Sequence, residues 1–382
     1  MVNLYLKYNY KMKIPVVKFA KDHNEQFYIT LKQRVADYFK TSNVARHGNM
    51  SMVFKTIFMI SLYVVPYLLM LMYFENPLLI VLMWVLMGFG MAGIGLSIMH
   101  DANHGAYSKN QTVNKVLSYI ITLVGGHDVN WRIQHNVLHH TYTNVTGLDE
   151  DLNPGSTLRF CPHEPRLAAH KYQHFYAWFL YGMMTLLWST TKDFKQLFRY
   201  KKLELLETQN VKFVSSLMIL IVSKILYYIV VLILPIMYCA DGTFPILGTI
   251  GSYLLMHFIC GVILGAIFQP AHIVPSSDFP LPDASGNIDA DWAVNQLCNT
   301  SNFAPGARLF SWYVGGLNYQ VEHHLFPNIC HVHYRKISAI VEATAKEYNL
   351  PYYSLKTWGN AISLHNKMLY NLGHYDDAKA MH

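Results

Sequence analysis

Eight of the 20 histidines fall in tight groups: His100 and His104, then His135, His139 and His140, then His272 alone, then His323 with His324. Each group follows a long apolar stretch. Neutral imidazole nitrogens are strong ligands for redox-active metals, and eight are enough for two ions. In His100-Asp101-Ala102-Asn103-His104 the two imidazoles are four residues apart, about 40° around an α-helix, and face one point. In His135-Asn136-Val137-Leu138-His139-His140, His135 and His139 share a face. His140, about 100° further round, is expected to reach a second ion or the far side of the first. In Gln320-Val321-Glu322-His323-His324 the Gln320 amide oxygen can join or support both imidazoles. Glu322 points elsewhere and reads as a plain surface charge in preference to an acceptor for an imidazole N–H. His272 lies just past an apolar run, and Pro270 is expected to end its helix. Any one group alone also fits a helix cap or a surface site; together they point to a metal centre. Structural zinc favours thiolates, and no cysteine lies beside these groups. A nitrogen-rich set without obvious carboxylate ligands suits iron or copper handling O2, with zinc as a possible substitute in a purified sample.

The elements that must position these residues are membrane helices. The chain is 52% hydrophobic and 14% charged, with positive mean hydropathy, against roughly 25% charged for a soluble domain. No charge occurs over the 19 residues from Thr56 to Phe74 or the 24 from Asn76 to Met99, and Glu75-Asn76-Pro77 marks the turn between them. About 20 apolar residues cross a bilayer, so these form one hairpin. Phe213 to Tyr238 and Phe244 to Gln269 form a second, joined by 239–243. Val113 to Gly126 and Phe175 to Trp188 are apolar but too short to span, and are expected to be interfacial or half-buried helices. Lys and Arg are absent from both hairpin turns and concentrate in 1–55, 101–212 and the tail after 270. By the positive-inside rule those regions are cytosolic, and every histidine group then lies on that side. The net charge of +7 therefore reads as bilayer flanks, with no nucleic acid expected. The fold class is all-α integral membrane: four transmembrane helices (hairpins about 56–99 and 213–269) under a cytosolic helical cap from 1–55, 100–212 and 270–382, all one domain. The five cysteines lack CxxC spacing and are expected to be reduced. Residues 1–50 do not resemble a cleavable leader, and Met12 reads as naturally as Met1 for a start. Lys224 and His257 lie within spans, where each is a functional candidate or a snorkelling or wet interhelical contact.

The three histidine boxes together resemble those of the membrane fatty acid desaturases, and the resemblance covers the chain from the first span to about residue 350. It implies a mushroom-shaped fold whose cap holds a diiron site, with His100, His104, His135, His139, His140, His272, His323 and His324 as iron ligands. Gln320, where many relatives have histidine, resembles the front-end subgroup, which places a double bond between an existing one and the carboxyl end. A cytochrome b5 domain with a His-Pro-Gly-Gly motif, fused in many front-end enzymes, is missing. Electrons are then expected from a separate ferredoxin or cytochrome b5 type protein. The resemblance implies a fatty acyl-CoA or acyl-lipid substrate, O2 and membrane lipids, in a bacterial inner membrane or, in a eukaryote, the endoplasmic reticulum. Trp131 and Asn318 could line the site. Asp149-Glu150-Asp151 reads as a solvated acidic turn, with donor docking the alternative. No side-chain acid or base removes hydrogen from an unactivated methylene, so a redox metal with O2 must supply the reactivity. A diiron lipid hydroxylase and a metal-binding membrane transporter are the rival readings.

Overall fold

The computed structural model describes residues 17–20, 25–73, 75–239 and 244–376, and the regular elements among them are helices apart from four strands of two or three residues. Helix α1 spans Glu25–Thr41, α2 Met50–Met72, α3 Pro77–Asn103 and α4 Gln111–Ser118. Helix α5 is Asp128–Trp131 continued by a π-helical Arg132–His139. Helix α6 spans Gln173–Leu187, α7 Asp193–Lys202, α8 Phe213–Cys239 and α9 Ile246–His272. Helices α10 (Trp292–Asn299), α11 (Arg308–Tyr313), α12 (Gln320–Leu325), α13 (Tyr334–Glu347) and α14 (Trp358–His374) complete the chain.

Among the described residues, helices α2, α3, α8 and α9 are the four long and apolar enough to cross a membrane. Asn76 starts α3 by accepting a hydrogen bond from the Leu78 N–H at 2.9 Å, with Pro77 in the first helical position, where it loses no backbone bond. The second turn falls largely in 240–243, outside the described residues. Burial separates an inner pair from an outer pair: the apolar windows of α3 and α9 are 61% and 56% buried, those of α2 and α8 33% and 22%. The outer helices display Phe54, Ile57, Val214, Met218 and Ile225, side chains suited to lipid. At 27 residues each, α3 and α9 are roughly 40 Å long, against a hydrocarbon core of about 30 Å. Each is long enough for one end to extend past the apolar layer, and their last turns carry His100 and His272.

Helix α6 packs along α9 because small residues meet there: a Cβ on Gly261 would collide with the carbonyl oxygen of Tyr181. Its opposite face exposes Phe175 and Phe179, as expected of a half-buried helix at 175–188. The other short apolar stretch divides into α4 and a 3₁₀ turn, Tyr119–Val124, closed by Gly125 at φ 76°. Short parallel strands tie distant segments: β1 (Lys18–Phe19) pairs with β2 (Asn287–Ile288), and β3 (Ser301–Phe303) with β4 (Tyr353–Leu355).

Three expectations change. Pro270 does not end the fourth span: α9 runs through it to His272. The backbone bond that proline cannot make leaves the Ala266 carbonyl free, and the Trp358 indole N–H donates to it at 3.0 Å. Lys224 is buried and fully engaged within the protein. It is 5% exposed and donates to Asp193 Oδ2 at 2.6 Å, the Trp188 carbonyl at 2.6 Å and the Gly125 carbonyl at 2.5 Å. Such a buried pair is retained where hydrogen bonds satisfy both charges. His257 ties α9 to α6 and α8 through Thr185 Oγ1 at 3.0 Å and Tyr227 Oη at 2.8 Å. The close approach of α6 to α9 gives a direct expectation. Gly261→Val lowers stability by about 1–3 kcal/mol, read as an earlier thermal midpoint of the detergent-solubilised protein; an unchanged midpoint contradicts the packing.

Candidate metal centre

Four elements deliver the imidazoles: the end of α3, the π-helical part of α5, the end of α9, and α12. The π-helical turn changes how the second box works. His140 N–H bonds to the His135 carbonyl five residues back, at 3.0 Å. In an α-helix residues five apart point about 140° away from each other. Here the wider turn brings them together, with His135 Nε2 and His140 Nε2 3.2 Å apart. His140 Nε2 also lies 3.0 Å from His323 Nε2, so His140 faces the interior of the cluster and not its far side.

All eight sequence-selected histidines converge. One ring nitrogen from each of His100, His104, His135 and His323 lies within 4.8 Å of the others, and the same holds for His139, His272 and His324. His140 forms a third such group with His323 and His324. Residues 220 apart in sequence thus share one buried space, and seven of the eight rings are under 7% exposed, His104 being half-buried.

The rings are held from outside. His135 Nδ1 donates to Asp151 Oδ2 at 2.9 Å and His139 Nδ1 to Asp149 Oδ2 at 2.9 Å. His272 Nδ1 donates to the Asn299 carbonyl at 3.1 Å and His324 Nδ1 to Gln296 Oε1 at 2.9 Å. His323 Nδ1 stands 3.2 Å from Tyr334 Oη. A donating Nδ1 fixes the tautomer that leaves an Nε2 lone pair free for a metal. Burial, reinforced by neighbouring imidazoles, holds the pKa of His104, His140, His323 and His324 well below the ordinary value, and burial holds that of His135 at about 4. These rings are therefore neutral at physiological pH, as ligation requires. Burial also opposes charge on His139, but Asp149 and Asp151 outweigh it and raise its pKa.

The donor set fits a metal on the chain's own evidence. His104 Nε2, His272 Nε2, His324 Nε2, both nitrogens of His100 and both amide atoms of Gln320 are buried without a hydrogen-bond partner. Orphaned polar atoms at this density carry a desolvation penalty that metal coordination relieves. Gln320 is fully buried and begins α12, the helix that carries His323 and His324.

The acidic run is the main correction at the site. Asp149 and Asp151 are neither a solvated turn nor a docking surface; they are the carboxylates that orient His139 and His135. Glu150, between them, accepts from Arg199 at 2.9 Å and from Tyr200 Oη at 2.5 Å. Gln134 donates to Asp151 and accepts from Gln196. Glu322 is not a surface charge: it is fully buried, accepts from Asn302 and Tyr352 at 2.8 and 2.9 Å, and burial pushes its carboxyl up to about 7. Asn318 does not line the site; it donates to the Phe303 carbonyl at 3.0 Å and secures the approach to α12. Trp131 does line it, its ring centre 4.5 Å from that of His135. Asp101 and His331 were not foreseen. Asp101 Oδ2 accepts from His331 Nδ1 at 2.8 Å, and its other oxygen stands 3.6 Å from His100 Nδ1.

A cavity with about 900 Å³ of empty volume, part of it open, runs between α3, α6 and α9 to this centre. Met91, Val124, Cys260 and Leu264 give it apolar walls, and His100, His135, His139 and His272 line its metal side. The fatty acid desaturase family profile matches residues 75–356. The chain belongs to the fatty acid desaturase family. It is 34% identical over 374 residues to the acyl-lipid (8-3)-desaturase of Physcomitrium patens, covering 95% of this chain and 75% of the relative. It is 32% identical over 353 residues to the sn-1 linoleoyl-lipid 6-desaturase of Arthrospira platensis, covering 92% and 94%. The corresponding enzyme of Synechocystis sp. is 31% identical over 363 residues, covering 94% and 98%. The chain is thus a desaturase with a fatty acyl substrate, and its histidine clusters carry the metal-binding character of the family. If the carboxylates orient the ligands, Asp149→Asn weakens metal affinity about 10- to 100-fold, measured by chelator competition on the purified desaturase. Affinity equal to wild type would remove Asp149 from that role.

Proposed function

We propose that this desaturase inserts a double bond into a polyunsaturated acyl chain carried on a membrane lipid, between an existing double bond and the carboxyl end. The observation that carries the reading is the apolar cavity ending on four imidazoles. Two irons are the proposed metals, one held by His100, His104, His135 and His323, the other by His139, His272 and His324. His140 reaches both groups, and Gln320 completes the donor set. A set of imidazole nitrogens with one amide, and no thiolate, supports iron for O2 chemistry. With iron bound, O2, two external electrons and two protons supply the reaction: two methylene hydrogens leave, two waters form and one carbon–carbon double bond remains.

The protein's part is placement and exclusion of water. Met91, Val124, Cys260 and Leu264 hold the chain by apolar contact, and Trp131 packs over His100, His104 and His135. A chain fixed in a narrow slot presents one pair of carbons to the centre, which is how a position is selected on an otherwise featureless substrate. A lipid-borne substrate is supported by the names of the relatives. The distribution of Lys and Arg supports a cytosolic metal face and cap, whether in a bacterial inner membrane or an endoplasmic reticulum. Electrons come from a separate ferredoxin or cytochrome b5 type protein, and residues 1–382 act as one unit.

Expression in a host fed linoleate, with gas chromatography and double-bond mapping of its lipids, tests the reading. Wild type yields a new alkene two hydrogens lighter than its precursor. His323→Ala inserts normally but yields none and loses iron. Product carrying an added oxygen instead would mean a hydroxylase, and His323→Ala with full iron and activity would refute the ligand assignment.

A further inference from the structure

One cationic side chain lines the apolar cavity: Lys192. It ends the π-helical turn Trp188–Lys192 that joins α6 to α7, and its Nζ lies 5.4 Å from the Trp188 ring centre. Trp188 lines the same cavity. The turn is anchored from behind, where Lys224 binds the Trp188 carbonyl and the Asp193 carboxylate. Three carboxylates act on Lys192 through space, those of Asp151, Glu150 and Asp193. Each is already committed: Asp151 to His135 and Gln134, Glu150 to Arg199 and Tyr200, Asp193 to Lys224. Among the described residues Lys192 forms no ion pair of its own. A half-buried ammonium on an apolar wall is costly unless something in the cavity uses it.

We infer that Lys192 is the positioning residue for the polar end of the acyl chain, its ammonium donating to the carbonyl oxygen nearest the lipid headgroup. This rests on the function proposed above. The polar lining is clustered, since Asp151, which acts on Lys192, bonds directly to His135. A carbonyl held at Lys192 therefore places the first few carbons of the chain beside the imidazoles, and the apolar remainder takes the methyl end. The double bond is then counted from the carbonyl, and the register of that count is set by one side chain.

The test compares wild type with Lys192→Met, Lys192→Gln and Lys192→Arg, using linoleoyl phosphatidylcholine in vesicles and reading KM, kcat, iron content and double-bond position. Loss of a charge-assisted hydrogen bond predicts a rise in KM of about 10- to 100-fold for Lys192→Met. Its iron content stays that of wild type, and its product spreads over neighbouring positions. Lys192→Arg keeps the wild-type position. Lys192→Met with wild-type KM and a single product position would overturn the inference. Loss of iron or fold in Lys192→Met and Lys192→Gln alike would overturn it too, by making the role structural. A wild type that forms no double bond would sink the proposed function itself, whereas an active wild type with unaffected variants removes only Lys192.

Discussion

The hydrogen bonds that hold four of the imidazoles by their outer nitrogen, those of His135, His139, His272 and His324, are the constraint on which the rest depends. Eight imidazoles in one largely buried space have no reason to point inward: each would gain by turning a nitrogen toward whatever donor or acceptor lay nearest. Asp151, Asp149, the Asn299 carbonyl and Gln296 remove that freedom for His135, His139, His272 and His324. They satisfy Nδ1 and leave Nε2 aimed at the cluster. The same burial that keeps His104, His135, His140, His323 and His324 neutral makes unpaired ring nitrogens costly, a penalty that metal coordination relieves.

The fold exists to deliver those rings. The inner helices α3 and α9 are long enough to protrude beyond the apolar layer, so His100 and His272 ride on rigid rods. The π-helical turn in α5 then aligns His135 with His140, which an α-helix would separate. Three of the four π-helical turns among the described residues, at Ile94–Met99, Arg132–His139 and Trp188–Lys192, contribute to the cavity wall. Such turns recur at functional sites because they re-aim side chains at the cost of weaker backbone geometry. Buried polar ties hold the wall in place: Lys224 behind the third turn, His257 between α6, α8 and α9, and Trp358 at the carbonyl freed by Pro270.

Composition and charge pattern made the four spans and the eight histidines legible, because both follow from short-range rules. A bilayer demands about 20 apolar residues, and a metal demands particular ligands at helical spacing. What failed was anything decided by tertiary contact. Asp149, Glu150 and Asp151 look like a solvated turn until the chain folds back onto α5 and α7. Glu322 looks like a surface charge until Asn302 and Tyr352 close over it. Pro270 looks like a helix end because its partner, Trp358, lies 88 residues away in sequence. The π-helical turns have no periodic signature at all, so helical-wheel geometry left His140 between a second ion and the far side of the first, and only the folded turn points it inward.

The most direct measurement is X-ray absorption at the iron edge, with metal analysis, on the purified wild-type enzyme. The account predicts two irons per chain in shells of imidazole nitrogen with no sulfur, each iron seeing the other. A single metal per chain, a sulfur shell from any of the five free cysteines, or two irons too distant to register as a pair would contradict it.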